Sequence, residues 1–292
     1  MSRFLEDLTL FLKEKDEHLI RVSEYKNGVI ETVEFEETDY CRNVYSVAKT
    51  FAMTAIGILY DKGLIKVEDK VCDILSDELP ERGMDERWRN ATVENALTHK
   101  LGLPGGFLDI DCNKSSVFTE NYLDYMFRYP LKCDPGTEYC YSDGAFYLIS
   151  CIVEKITGIC LDTFLWKELF LKLDFQEVAW SHCPKGHAMG ATGLYIHSSD
   201  MVKLGALYLN NGVYNGDRIL SEEWCRLAVE KHYALDWDDE SHTVYQKGGM
   251  HGQSLMVIPG SKRAVAVQSF NGDTGSVRNF ARNYKDQQQK GV

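Results

Sequence analysis

Tyr45-Ser46-Val47-Ala48-Lys49-Thr50-Phe51-Ala52-Met53-Thr54-Ala55-Ile56-Gly57-Ile58-Leu59-Tyr60 is the stretch from which the rest of the chain is read. Between Lys49 and Tyr60 it is apolar on nearly every side, whereas a surface helix keeps a polar stripe. Such a helix lies inside a fold and must be covered all round. Asp61-Lys62-Gly63 stops it, with Gly63 suited to the position just past the helix end. Ser46 and Lys49, three residues apart at its start, sit one turn apart on one face. A serine hydroxyl is a poor nucleophile until a base takes its proton. A lysine becomes that base when burial lowers its pKa, from about 10.4 toward 7, at a cost of roughly 4–5 kcal/mol. The apolar helix offers that burial. The spacing alone is weak, because Ser23-Glu24-Tyr25-Lys26 repeats it. That second copy falls on a predicted strand and its turn, where side chains three apart do not share a face.

Upstream, Phe4, Leu8, Phe11 and Leu12 form one stripe of an amphipathic helix. Leu19–Tyr25 and Val29–Phe35 then read as a hairpin around Lys26-Asn27-Gly28, Asn-Gly being the strongest short hairpin signal. Downstream, residues 71–173 are helical and irregular. Helices are predicted from Thr92 to Leu97, from Ser142 to Thr157 with Gly158 closing it, and from Leu161 to Leu171, with a Gly-Pro loop over residues 101–106. Strand signals then return: Met256-Val257-Ile258 and Ala264-Val265-Ala266-Val267 flank Pro259-Gly260, and the end of the chain is polar and helical. Strands at both ends with helices between them predict an α/β (α+β) fold. Its expected parts are an antiparallel-sheet sandwich domain from residues 1–70 and 175–292, and an inserted helical domain over residues 71–174.

The bulk properties exclude several classes. The 292 residues are 44% hydrophobic and 26% charged, as in an ordinary globular protein, with a net charge of −12. Nucleic-acid binding draws its affinity from basic faces, and no Lys/Arg block is present. No window approaches the ~20 apolar residues of a membrane span, and no apolar run resembling a secretory signal opens the chain. These features predict a cytoplasmic protein that binds neither nucleic acid nor membrane. The nine cysteines are odd in number and contain no C-x-x-C, which predicts free thiols. His182-Cys183 with His187 is the one cluster worth weighing for metal, and its spacing is looser than that of zinc sites, so no metal is expected.

Two further segments carry chemistry. Tyr141-Ser142-Asp143 stands at a loop-to-helix junction after Pro135-Gly136-Thr137. A phenol there can relay protons in both directions, although a core tyrosine followed by an N-cap would look the same. Lys247-Gly248-Gly249 precedes Met250-His251-Gly252-Gln253. A cation on an edge strand, with glycines that permit close backbone approach, suits a substrate cleft. A backbone N–H there can join that of Ser46 in holding an oxyanion, a donor typically worth ~3 kcal/mol. Each segment alone is ambiguous. Their order, S-x-x-K, then Tyr-x-Asp, then Lys-x-Gly, is what selects them.

These segments resemble the serine β-lactamase and penicillin-binding-protein superfamily, in its class C β-lactamase, DD-peptidase and esterase branch. Leu97-Thr98-His99-Lys100-Leu101-Gly102-Leu103-Pro104 is similar to that branch's LLTHTSGLP, and Pro135 to Gly144 to its PGTxFxYSNxG. Gly190 to Gly205 resembles GGLxSTxxDMxRFG, and Gly249 to Pro259 resembles GxxGQxxxxxP. The resemblance covers residues 40–270. It implies an acyl-enzyme on Ser46, proton transfer by Lys49 and Tyr141, and an oxyanion hole from the Ser46 and Met250 amides. Asp143, Lys247, Gly249 and Met250 become the substrate-binding residues, and no metal or organic cofactor is implied. Three departures stand out. Asp143 replaces an Asn, and an ionised Asp cannot donate to a substrate carbonyl; paired with Lys49 or Lys247, it would raise the lysine's pKa. Gly248 replaces a Thr or Ser hydroxyl that helps grip a substrate carboxylate. No export signal is present. The departures favour a cytoplasmic esterase or amidase on a small acyl substrate. A β-lactamase or D-amino-acid peptidase is one alternative, kept open by Lys247; a non-catalytic binding protein that kept the fold is another. His99 and His251 are read as structural hydrogen-bonding residues, and no G-x-S-x-G surrounds any serine.

Overall fold

The computed structural model describes residues 1–286 except 14, 16, 17, 115, 116, 239, 240 and 273. Helix α1 (Arg3–Leu12) is capped by Ser2, whose hydroxyl accepts the Leu5 N–H. It buries Phe4, Leu5, Leu8 and Leu12. Phe11, expected on that stripe, lies at its edge, 42% exposed, and reaches the Phe280 ring instead. Strands β1 (Leu19–Lys26) and β2 (Val29–Glu34) form the hairpin. Both turn residues have positive φ, Asn27 at 52° and Gly28 at 83°, the type I′ geometry that matches strand twist. After the two-residue strand β3 (Arg42–Asn43), helix α2 (Ala48–Asp61) is buried without a break from Ala48 to Leu59.

Helices α3 (Val71–Ile74), α4 (Val93–Leu97), α5 (Tyr122–Arg128), α6 (Asp143–Thr157) and α7 (Leu161–Leu165) follow. Thr92 opens α4 with a reciprocal capping box to Asn95. The helix expected to continue to Leu171 widens into a π-type turn over Trp166–Phe170. That turn brings Phe170 to stack on Phe175 at 4.9 Å and to approach Phe51 of α2.

Strands β4 (Val178–Trp180) and β5 (Leu194–Ile196) join β3 in a small sheet. Helix α8 (Ser198–Leu209), the ribbon β6 (Val213–Tyr214) and β7 (Asp217–Arg218), and helix α9 (Glu222–Glu230) lead to the last strands, β8 (Asp236–Trp237), β9 (Tyr245–Gly249), β10 (Gln253–Ile258) and β11 (Arg263–Ser269), and then α10 (Gly275–Asn283). The polar tail beyond it, 287–292, lies outside the described residues. The main sheet is antiparallel, in the order β2-β1-β11-β10-β9-β8. Its centre is the pairing of β1 with β11, which sets Val22 opposite Val267. Helices α1 and α10 cover one face through Phe4, Leu8, Val22, Val265 and Val277. Helix α8 covers the other, where the core continues through α2 and α6. All nine cysteines are free thiols. No single helix among the described residues is long and apolar enough to cross a membrane.

Candidate active site

Ser46 lies in a short 3₁₀ turn, Tyr45–Val47, that leads directly into α2. The chain reaches it through a strained residue, Tyr45, at φ 47°, whose N–H is held by the Asn43 Oδ1 at 2.8 Å. One turn on, Lys49 is wholly buried and donates to Ser46 Oγ at 3.1 Å. Tyr141, on the segment entering α6, donates its phenol proton to the same oxygen at 2.8 Å. The structure thus brings Tyr141, 95 residues further along the chain, to the Ser46–Lys49 pair.

Lys49 has two further partners, Asp143 Oδ1 at 2.7 Å and the Ala191 carbonyl at 3.0 Å. Burial, the largest influence, pulls the Lys49 pKa down. The Asp143 carboxylate and then Tyr141 pull it up, and the net shift is upward. This corrects the expectation that the apolar helix would lower it: α2 supplies the burial, but the carboxylate brought in by α6 and the Tyr141 phenol together outweigh it. Of the two lysines Asp143 was expected to pair with, it takes Lys49. Helix α6, which carries Asp143, packs on both α2 and α4.

Lys247, on β9, is 7% exposed, and its Nζ lies 5.2 Å from the Tyr141 ring centre. Its nearest carboxylate, Asp236 Oδ2, is 4.0 Å away. Burial first, then the charge of Lys49, hold Lys247 below the usual lysine range, against the pull of Tyr141 and Asp236. At the end of β9, a Cβ on Gly249 would stand 2.5 Å from the Val44 carbonyl and 3.3 Å from the Ser46 nitrogen. Only glycine lets the strand pass this close to the nucleophile turn. Met250 follows at once, at the turn where the oxyanion amide is expected. A Cβ on Gly248 would meet nothing within 4 Å, so the missing hydroxyl leaves open space beside Lys247.

Asp109 and Asp111 were not singled out from sequence. Asp109 and Asp111 each bring a carboxylate oxygen within 4.8 Å of one on Asp143, the one such group among the described residues that could share a cation. Asp143 is already neutralised by Lys49, and Asp111 accepts from the Thr192 hydroxyl at 2.5 Å. Burial, with the Asp143 charge adding to it, raises the Asp111 pKa. Both residues come from a segment without periodicity, so no sequence signal marked them. His182, Cys183 and His187 turn to separate partners: Asp162 at 3.2 Å, the Tyr147 hydroxyl at 3.3 Å and Glu154 at 2.8 Å. His251 Nδ1 pairs with the side-chain Oδ1 of Asn271, and the ring packs edge-on against Tyr45.

Known proteins resemble this chain in sequence and in fold. The N-acetylmuramyl-L-alanine amidase of Bacillus subtilis (strain 168) is 28% identical over 153 residues, 51% of this chain but only 34% of that protein. Penicillin-binding protein 4 of Amycolatopsis lactamdurans is 25% identical over 275 residues, 78% of this chain and 71% of its own. The crystal structure of a penicillin-binding-protein homologue from Caulobacter crescentus shares the fold, with a TM-score of 0.73 at 15% identity, covering 96% of both chains. The Beta-lactamase family model matches residues 38–289. With that match running from the strand before Ser46 past the last helix, the chain belongs to the β-lactamase family of serine hydrolases.

Proposed function

We propose that the chain hydrolyses a small ester or amide through an acyl-enzyme on Ser46. The observation that carries this reading is the Ser46 Oγ itself, contacted at once by the Tyr141 hydroxyl at 2.8 Å and Lys49 Nζ at 3.1 Å. Lys49, held as a cation by Asp143, is an electrostatic partner and not the resting base. Once its own phenol proton has passed to solvent, the Tyr141 oxygen is the group placed to take the Ser46 proton as Oγ bonds to the substrate carbonyl carbon. It returns that proton to the leaving alcohol or amine as the C–O or C–N bond breaks, and a water then repeats the sequence on the acyl-enzyme. The Nζ atoms of Lys49 and Lys247 lie 4.8 and 5.2 Å from the Tyr141 ring centre. The Ser46 and Met250 amides are the proposed oxyanion donors. Asp143, Lys247 and Gly249 line the substrate side.

Hydrolysis of p-nitrophenyl acetate and butyrate by wild type and Ser46→Ala tests the reading. Loss of turnover with the hydroxyl is the expected result; equal rates would sink it. A β-lactam or D-amino-acid peptide is the second reading, favoured by the buried ammonium of Lys247 next to open space at Gly248. It predicts a mass shift on Ser46 after incubation with a penicillin. That the amidase and the penicillin-binding protein named above are relatives is compatible with either substrate class.

A further inference from the structure

Tyr141 sits on an irregular segment, Cys140–Ser142, ahead of α6. Nothing in a loop of this kind fixes a phenol oxygen by itself. His99, from the end of α4, bonds the chain on both sides of it. The His99 carbonyl accepts the Cys140 N–H at 2.8 Å, and its Nδ1 accepts the Ser142 N–H at 3.3 Å. Its ring packs on the Tyr141 ring with centroids 4.4 Å apart, and Phe146 closes the far side at 5.2 Å. The Tyr141 carbonyl is tied in turn by the Gly106 N–H at 2.9 Å. We propose that His99 is a positioning residue that aims the Tyr141 phenol at Ser46 by holding the Cys140 and Ser142 N–H groups on either side of it. The proposal rests on the reading of Ser46 and Tyr141 as the reacting pair.

Three observations bear on the state of His99. Nδ1 can accept only while it carries no proton, and the imidazole is kept neutral: burial first, then Lys247 and Lys49, lower its pKa to about 2. The proton therefore sits on Nε2, which is buried without a hydrogen-bond partner among the described residues. The backbone of His99 is held at φ 54°, in the left-handed region that His18, His232, His242 and His251 also adopt. A buried nitrogen left unpaired and a strained φ both persist where the surroundings over-determine a geometry. His99 makes no hydrogen bond to Ser46 or to the Tyr141 hydroxyl, so it acts through the backbone and not on the proton being moved. The charged and titratable groups around it are Lys49 from α2, Lys247 from β9, and Tyr139 and Tyr141 from its partner segment. Asp236 shares with it a cavity of about 290 Å³.

The test compares wild type, His99→Leu and His99→Asn. Asparagine tolerates the positive φ and offers an oxygen to the Ser142 N–H; leucine fills the space without an acceptor. With p-nitrophenyl acetate, His99→Leu is expected to lose about 10–100-fold in kcat with KM within about threefold, as for a misplaced catalytic group. Fluorophosphonate labelling of Ser46 should slow in step, and His99→Asn should recover most of both. Circular dichroism reports that each variant is folded. Amide exchange at Ser142, followed by NMR, needs no turnover: protection should survive in His99→Asn and fall at least about tenfold in His99→Leu, as for an amide that loses its acceptor. Wild-type kcat in His99→Leu, or His99→Asn as impaired as His99→Leu, overturns the proposal. Should wild type and Ser46→Ala prove equally inactive, the hydrolase reading falls by itself, and unchanged Ser142 protection in His99→Leu would then overturn the clamp.

Discussion

The residue that most distinguishes this site is Asp143. An Asn there would leave Lys49 wholly buried with only neutral partners, and burial would drive it toward the free base. The carboxylate reverses the outcome, since the Lys49 pKa is raised even against the strongest opposing influence in its surroundings. A raised lysine pKa contributes stability that is fully present below the unfolded value, near 10.4. That contribution is lost as pH climbs through the folded value. Asp143→Asn should therefore be less stable than wild type at neutral pH, with the gap closing in strongly alkaline buffer. Urea unfolding at pH 7 and pH 11 measures this, and a gap of constant size would contradict it. The same variant frees Lys49 to titrate lower, so its pH–kcat profile should gain an ionisation between about pH 6 and 9. Superimposable profiles would show that Asp143 does not hold the lysine charged.

At the scale of elements, the site is an encounter between the α2 start and the end of β9. The approach is set by backbone: the Gly249 Cα lies where a single methyl would strike the Val44 carbonyl at 2.5 Å. Contacts under about 3 Å are avoided in packed interiors, so Gly249→Ala must push β9 away from the Ser46 amide. Loss of one oxyanion donor typically lowers kcat by about 10²–10³-fold. The expectation is a loss of that order with thermal stability reduced by only about 1–3 kcal/mol. An alanine variant retaining most of its kcat would mean that the two elements do not jointly form the oxyanion hole. Gly248, one residue earlier, has open space instead; adjacent glycines thus do different things, which their spacing in sequence does not reveal.

Across the whole molecule, the two chain ends are joined under the sheet. Arg263 of β11 is 1% exposed in its side chain and is met by Glu24 of β1 and by Asp286 beyond α10, with the Phe4 and Tyr284 rings on either side at 4.5 and 5.0 Å. Removing one partner of a buried pair leaves an uncompensated charge, which costs about 3–5 kcal/mol. Glu24→Ala should lower the urea midpoint accordingly. Because this cluster lies on the α1/α10 face, away from Ser46, kcat at 25 °C should stay at the wild-type value. A midpoint unchanged by the substitution would show that Asp286 alone satisfies the guanidinium.

Much of this was legible in sequence, for local reasons. The unbroken apolar run after Lys49 could only be a buried helix. Asn27-Gly28 could only be a tight turn, and Thr92 marked the start of a short helix. The ordered spacing of Ser46, Tyr141 and Lys247 named the segments that meet. The tertiary structure alone decided what those segments do to each other. Whether Lys49 is charged depends on the distance to a carboxylate 94 residues away, and no periodicity encodes a distance through space. The edge position of Phe11, the π-type turn at Trp166, and the His99 clamp on Tyr141 are likewise outcomes of packing: each is settled by neighbours from another element, and sequence determines those neighbours only through the completed fold.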